Sequence, residues 1–108
     1  MSEERDRLIE YAERVEAGDS FEDEEYDLYE ALNMTIEISE VSLMDCLGGS
    51  LDECLSLHED LLPGWQWRIE NAGTVTLKND HEVSGYVEGK PGRAWVAAIM
   101  KVAAEHHP

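Results

Sequence analysis

The chain is poor in the residues that staple small domains or carry chemistry, and poor in positive charge. It has two cysteines, Cys46 and Cys54, so a disulfide framework is excluded. No run approaches the ~18 apolar residues that a membrane span needs, and Met1 to Glu10 is charged where an export signal would be apolar. The expectation is a cytoplasmic chain with both thiols reduced. There is no nucleophile elbow, no P-loop and no G-x-G-x-x-G, so the common nucleophilic and nucleotide-binding signatures are missing. Basic residues number only eight against 25 acidic ones, a formal charge of −17. That balance opposes direct contact with a phosphate backbone.

What is present is unevenly spread. Residues 1–60 hold 20 of the 25 acidic residues and only Arg5, Arg7 and Arg14 as cations, while residues 61–108 hold five of each sign. Self-repulsion on this scale works against a compact state, so the acidic half calls for a solubility role or a basic partner. A salt-adapted host would acidify the whole surface, and the neutral second half argues against that. At 108 residues the chain is read as one domain, with an acidic helical part at 1–47 and a helix, β-meander and helix core at 48–108.

The stretch Gly49 to Ile69 organises that core. Ser50 and Glu53 form a candidate capping box, and Leu51, Cys54, Leu55, His58 and Leu62 fall on one helical face until Pro63 and Gly64 stop it. Trp65, Trp67 and Ile69 then alternate with Gln66, Arg68 and Glu70 as in a strand. Three-residue loops at Asn71 to Gly73 and Asn79 to His81 pair Ile69 with Val75, Trp67 with Leu77 and Leu77 with Val83. This register collects Trp65, Trp67, Ile69, Val75, Leu77, Val83 and Val87 on one face, with Gly73 expected as the left-handed residue of its loop. Pro91 suits the first position of a last helix, whose Trp95, Val96, Ala98, Ile99, Met100 and Val102 leave little polar face, so it should be buried.

Upstream, Ser2 to Ala17 reads as a helix with Leu8, Tyr11, Ala12 and Val15 inward and Glu3, Glu4, Asp6, Glu10, Glu13 and Glu16 on its other faces. Ser20 to Asn33 reads as a second helix with Ser20 and Asp23 as caps and Leu28, Tyr29 and Leu32 inward. Met34, Ile36 and Ile38 alternate like a short strand, the candidate fourth of the sheet, and the segment to Leu47 reads as a turn, with Ser42 and Asp45 also suited to a brief helical one. The expected fold is α+β: acidic N-terminal helices, a central helix, a three-stranded antiparallel meander and a buried C-terminal helix.

The second half resembles a group of small bacteriophage and prophage proteins with the pattern S-L-D-x-A-L-x-L, then P-x-G-W-x-W, a β segment and a Pro- and Ala-rich final helix. The matching residues are Ser50, Leu51, Asp52, Leu55, Leu57, Pro63, Gly64, Trp65 and Trp67, then Pro91, Ala94, Ala97 and Ala98. Pro63 directly before Gly64 and Lys90 in place of a threonine cap depart from it. These are caps, turns and core positions, so the resemblance implies a scaffold and a phage context and carries no catalytic residue.

Candidate sites are few. Cys54 and His58 are four apart on one helix face and Cys46 could join them, but a closed zinc site needs a fourth ligand, and His106-His107 is at most a flexible chelating pair. Trp65, Trp67 and Trp95 fall on core faces. No metal, cofactor or catalytic residue is assigned, and the protein is not expected to be an enzyme. The run Asp19 to Glu30 carries seven carboxylates and no cation in twelve positions. Its bland reading is a solvated helix. Its sharper reading is a partner-binding face, Glu22, Asp23, Glu24, Glu25, Asp27 and Glu30 with Tyr26 and Tyr29 as aromatic anchors, which with the first helix imitates nucleic acid. The expected function is then a phage-encoded inhibitor acting in the host cytoplasm. It would block a basic nucleic-acid-binding surface of a host defence complex, of the anti-CRISPR or anti-restriction kind. The competing expectation is an accessory or structural phage protein with an acidic solubility or docking surface.

Overall fold

A computed structural model describes residues 3–34 and 41–105, and the architecture is α+β. The elements are α1 (Glu3–Ala17), α2 (Glu25–Ala31), α3 (Leu43–Leu47), α4 (Leu51–Leu61), β1 (Gln66–Glu70), β2 (Thr74–Lys78), β3 (Glu82–Tyr86) and α5 (Pro91–Glu105). Among the described residues, no helix is long and apolar enough to cross a membrane.

The last helix is the centre of the molecule. Pro91 opens it with a preset φ and no donor to lose, and every residue from Ala94 to Met100 is buried. A helix apolar all round needs cover on more than one side. The sheet supplies one, through β2 and β3; α1 supplies the other, with α3 and α4 closing the flank. That second cover, Leu8, Tyr11, Ala12 and Val15 of α1, is what the burial of Val96 and Met100 requires.

The sheet is the expected meander, order β1-β2-β3, with Trp67 opposite Leu77, Ile69 opposite Val75, Leu77 opposite Val83 and Lys78 opposite Glu82. Two details differ from the sequence reading. In the first loop the left-handed residues are Asn71 and Ala72, at φ 54° and 57°. Gly73 is instead fixed by space, since a Cβ there would lie 2.9 Å from the Val87 carbonyl oxygen. The inner face is also incompletely covered: Trp67 packs on Trp95 with centroids 4.8 Å apart yet is 44% exposed, because α5 lies mainly over β2 and β3.

In α4, Ser50 caps as expected, its hydroxyl accepting from the Glu53 N–H at 3.3 Å. The reciprocal half of the box is absent. The Glu53 carboxylate instead accepts from the Ser42 N–H at 3.3 Å, and the Ser50 N–H donates to the Asp45 carbonyl. The buried face is Cys54, Leu57 and His58, while Leu51 is 39% exposed, so the helix is rotated from the expected face toward Leu57. Before it, the segment read as a turn holds the short α3, capped by Ser42 onto the Asp45 N–H at 3.2 Å. Residues 35–40, and with them most of the expected fourth strand, lie outside the described residues.

The second helix is shorter than Ser20 to Asn33. Phe21 is buried against Tyr11, and the Glu24 N–H donates to the Phe21 carbonyl, so residues 19–24 form a turn. Ser20 and Asp23 do not cap it; the N-cap is Glu24, with no side-chain cap bond.

His58, the most buried polar residue of the core, holds the turn after α4. The Trp95 indole N–H donates to its Nδ1 at 3.3 Å, so Nε2 carries the proton that is donated to the Trp65 carbonyl at 2.8 Å. Both ring nitrogens are therefore occupied. The thiol of Cys54 faces the Gly92 carbonyl at 3.5 Å, and contact with Cys54, together with burial, pushes the Cys46 thiol far above its ordinary range. The two thiols are free.

Two tests follow from this packing. A Cβ on Gly85 would sit 2.1 Å from the Ala94 carbonyl oxygen of α5, so Gly85→Ala is expected to cost about 3 kcal/mol or more. Gly18→Ala, opposed only by a φ of +87° in open space, should cost about 1 kcal/mol; urea midpoints of the two variants check the contrast. At the other end, His81 bonds Asp80 at 2.6 Å and Glu105 at 2.5 Å, and these carboxylates hold its pKa above the ordinary value. A raised folded-state pKa gives stability that is present below the ordinary value of about 6.5 and lost as pH rises through the folded value. The melting temperature of His81→Asn should therefore fall furthest below wild type in mildly acidic buffer and converge on it in alkaline buffer.

Candidate functional site

Within the acidic half, two arginines of α1 hold α2 and the turn before it. Both project from the side of α1 that faces α2, with Tyr11 between them in sequence. Arg14 makes a bidentate pair with Glu24, at 3.0 and 2.6 Å, and its Nε donates to Asp19 at 3.1 Å. The same guanidinium lies 4.7 Å over the Phe21 ring. Planar, forked and stacked, it uses the features that distinguish arginine from lysine. It holds the Glu24 carboxyl below the usual range, and its own pKa rises. Arg7 reaches Asp27 at 3.5 Å and Glu30 at 3.7 Å.

These contacts sort the eight residues expected to bind a partner. Glu24 is engaged by Arg14 and is removed from the set. Tyr29 is also removed: it is 4% exposed, and its hydroxyl donates to the Val41 carbonyl at 2.7 Å and accepts from the Leu43 N–H at 3.0 Å. It ties α2 to α3 and cannot anchor a partner. Glu25 is half-buried. Glu22, Asp23 and Glu30 are exposed, Asp27 is half-exposed beside Arg7, and Tyr26 stands 66% exposed among them. Five of the eight thus remain accessible, Asp27 and Glu30 among them paired with Arg7.

The structure adds a stripe that the choice of residues missed. Glu3, Asp6, Glu10 and Glu13 recur at i, i+3, i+7 and i+10 along α1 and all four are exposed. On a helix this spacing is a single row, about 15 Å long. Its signal in the sequence is that periodicity, less dense than the run at 19–30. Glu16, on the same helix, belongs elsewhere: it accepts from the Tyr86 N–H at 2.9 Å and from Lys101 at 2.8 Å. The stripe of α1 and the outer side of α2 are adjacent, because Arg7 and Arg14 join the two helices.

Elsewhere, Glu53, Ser56, Glu59 and Asp60 of α4 line a shallow concavity of about 240 Å³ beside Val41. Among the described residues, no group of three His, Cys, Asp or Glu side chains could hold a metal ion. No protein-family model matches the chain, and neither does any curated protein or solved structure compared with it.

Arg14→Gln should loosen residues 19–24 and destabilise the fold at neutral pH. Because Glu24 has a depressed pKa, its contribution is present above the ordinary carboxyl range and is lost as pH falls through the folded value. The deficit of the variant in urea unfolding is therefore expected to be larger at neutral pH than at about pH 3.

Proposed function

We propose that the protein is a phage-encoded inhibitor, without enzymatic activity, that docks the acidic surface of α1 and α2 on a basic nucleic-acid-binding surface of a host defence complex in the host cytoplasm. The observation that carries this reading is that the carboxylates of α1, of α2 and of the turn between them sit on a folded surface joined through Arg7 and Arg14 rather than on a solvated tail. A preorganised acidic surface gives up little conformational entropy on binding, and its field speeds association with a cationic partner. Glu3, Asp6, Glu10 and Glu13 on α1, with Glu22 and Asp23 in the turn before α2 and Asp27 and Glu30 on α2, take the place of phosphates. Tyr26 supplies an aromatic contact at the centre of the α2 side. The resemblance of the second half to small phage proteins supports the phage setting, and a CRISPR effector is the kind of partner that fits.

A second reading has its own support. Glu16, Asp19, Glu24 and Glu53 all hold the fold together through internal contacts. An accessory phage protein could use such carboxylates structurally and the remainder for solubility.

The test is retention of host nucleic-acid-handling complexes by the tagged protein at low and high salt. The comparison is a variant carrying Glu3→Gln, Asp6→Asn, Glu10→Gln and Glu13→Gln, and another with Glu22→Gln, Asp23→Asn, Asp27→Asn and Glu30→Gln. The expected result is retention at low salt that high salt abolishes and that each quadruple variant reduces by at least about tenfold. Retention unchanged in both variants would favour the accessory reading.

A further inference from the structure

The two edges of the sheet are treated differently. On the β3 edge, Glu16 accepts from the Tyr86 N–H at 2.9 Å and Lys101 donates to the Ser84 carbonyl at 2.9 Å. Side chains of α1 and α5 thus block that edge against further pairing. The same two bonds fix the alternation across the whole sheet. If Ser84 and Tyr86 direct their backbone groups away from β2, then Val83 and Gly85 bond to β2, and Thr74 and Thr76 direct theirs to β1. Their register partners Glu70 and Arg68 complete those bonds. The N–H and C=O groups of Trp67 and Ile69 are left pointing out over the open edge of β1. Among the described residues, no strand lies beyond it.

That edge also carries apolar surface that α5 does not cover. Trp67 is 44% exposed and Ile69 half-buried on one face. Trp65, Gln66, Trp67, Arg68, Thr76 and Lys78 line an open concavity of about 450 Å³ around it.

We propose that β1 pairs antiparallel with β1 of a second copy of this chain, the two-fold axis passing between the two Arg68 residues. The choice of occupant follows from self-complementarity. Arg68 is the middle residue of Gln66–Glu70, so this register overlaps the whole strand: Gln66 faces Glu70, Trp67 faces Ile69 and Arg68 faces Arg68. It joins each outward group of Trp67 to one of Ile69 in the other copy, closing four backbone hydrogen bonds, and produces a continuous six-stranded sheet. An aromatic residue opposite a β-branched one is a favourable cross-strand pair. On the other face the two Arg68 guanidinium groups are flanked by the two Glu70 carboxylates, with which Arg68 already pairs within its own chain. An isologous contact of this kind is closed, so assembly stops at the dimer.

The strand itself carries one charge of each sign, Arg68 and Glu70. Two chains of −17 repel, but α1 sits against the β3 side through Glu16, and β1 lies in the half of the sequence whose charges balance. Dimerisation through β1 therefore puts α1 at the two far ends of the joined sheet.

The test is sedimentation equilibrium of the full chain, whose mass is 12.2 kDa. A concentration-dependent species of twice that mass is expected, and added salt should strengthen it, because screening removes repulsion. This salt response is opposite in sign to that expected for the acidic face on a basic partner, so the two proposals fail independently. Trp67→Lys and Ile69→Lys should each weaken the dimer by at least about tenfold. Hydrogen exchange at the Trp67 and Ile69 amides should slow with rising concentration while that of Tyr86 does not, a readout that a variant's folding cannot confuse. Arg68→Cys should cross-link under mild oxidation, since non-hydrogen-bonded partners bring Cα atoms to about 4.5 Å, whereas Gln66→Cys should not. A monomer at all concentrations, a dimer unaffected by both lysine variants, or concentration-independent exchange at Trp67 and Ile69 would overturn the proposal. Monomers that pair only with an extended peptide of another protein would overturn it too.

Discussion

The constraint on which this structure depends is the close approach of α5 to the sheet at Gly85. Only a residue without a Cβ lets the helix backbone at Ala94 and Ala98 come this near β3. That approach sets how deeply Trp95, Ile99 and Val102 enter the core. Each fully buried side chain of this size contributes about 1.5–3 kcal/mol, so small residues at the contact convert directly into core depth. A helix pulled in this far exposes its opposite side as a second apolar surface, and α1 is the element that covers it. An element of the acidic half thus covers apolar surface of the last helix of the neutral half.

Covering α5 with α1 creates an electrostatic problem, because α1 and the segment after it are dense in carboxylates. The arginines of the first half answer it at the points of contact. Arg14 gathers Asp19 and Glu24 and stacks on Phe21, which ties the turn to the helix; Arg7 does the same more loosely for Asp27 and Glu30. Internal pairing of these few carboxylates leaves the remaining ones on the outside, along one row of α1 and the outer side of α2. Packing of α1 on one side and ion pairing on the next thus leave its carboxylate row facing solvent.

Much of this was legible in the sequence where the signal is local. The strand register followed from alternation and loop length alone, and Trp67 opposite Leu77 and Leu77 opposite Val83 are found as expected. The all-round apolar character of α5 predicted its burial, though not that α1 would supply half the cover, since that contact spans some eighty residues. What failed was decided by tertiary contacts. Burial of Phe21 turned residues 19–24 away from helix, and Glu24 was claimed by an arginine ten positions earlier. Tyr29 sits beside Leu28, and nothing local distinguishes a tyrosine bound for solvent from one whose hydroxyl meets the Val41 carbonyl and the Leu43 N–H. The rotation of α4 from Leu51 to Leu57 is of the same kind: both leucines lie at helical spacing from Cys54, and the packing against α5 chooses between them.

The same packing accounts for the contrast between the sheet edges. Because α5 is drawn toward β3 at Gly85, α1 and the last turns of α5 come within reach of the outer side of that strand, where Glu16 and Lys101 occupy its backbone groups. The helix leaves β1 less covered, and Trp67 of that strand meets it at Trp95. One small residue thus closes one edge, leaves the other open and places α1 beside the closed one. The carboxylate row of α1 and the outward backbone groups of β1 end up on different surfaces, so the two proposed contacts would use forces that salt changes in opposite directions.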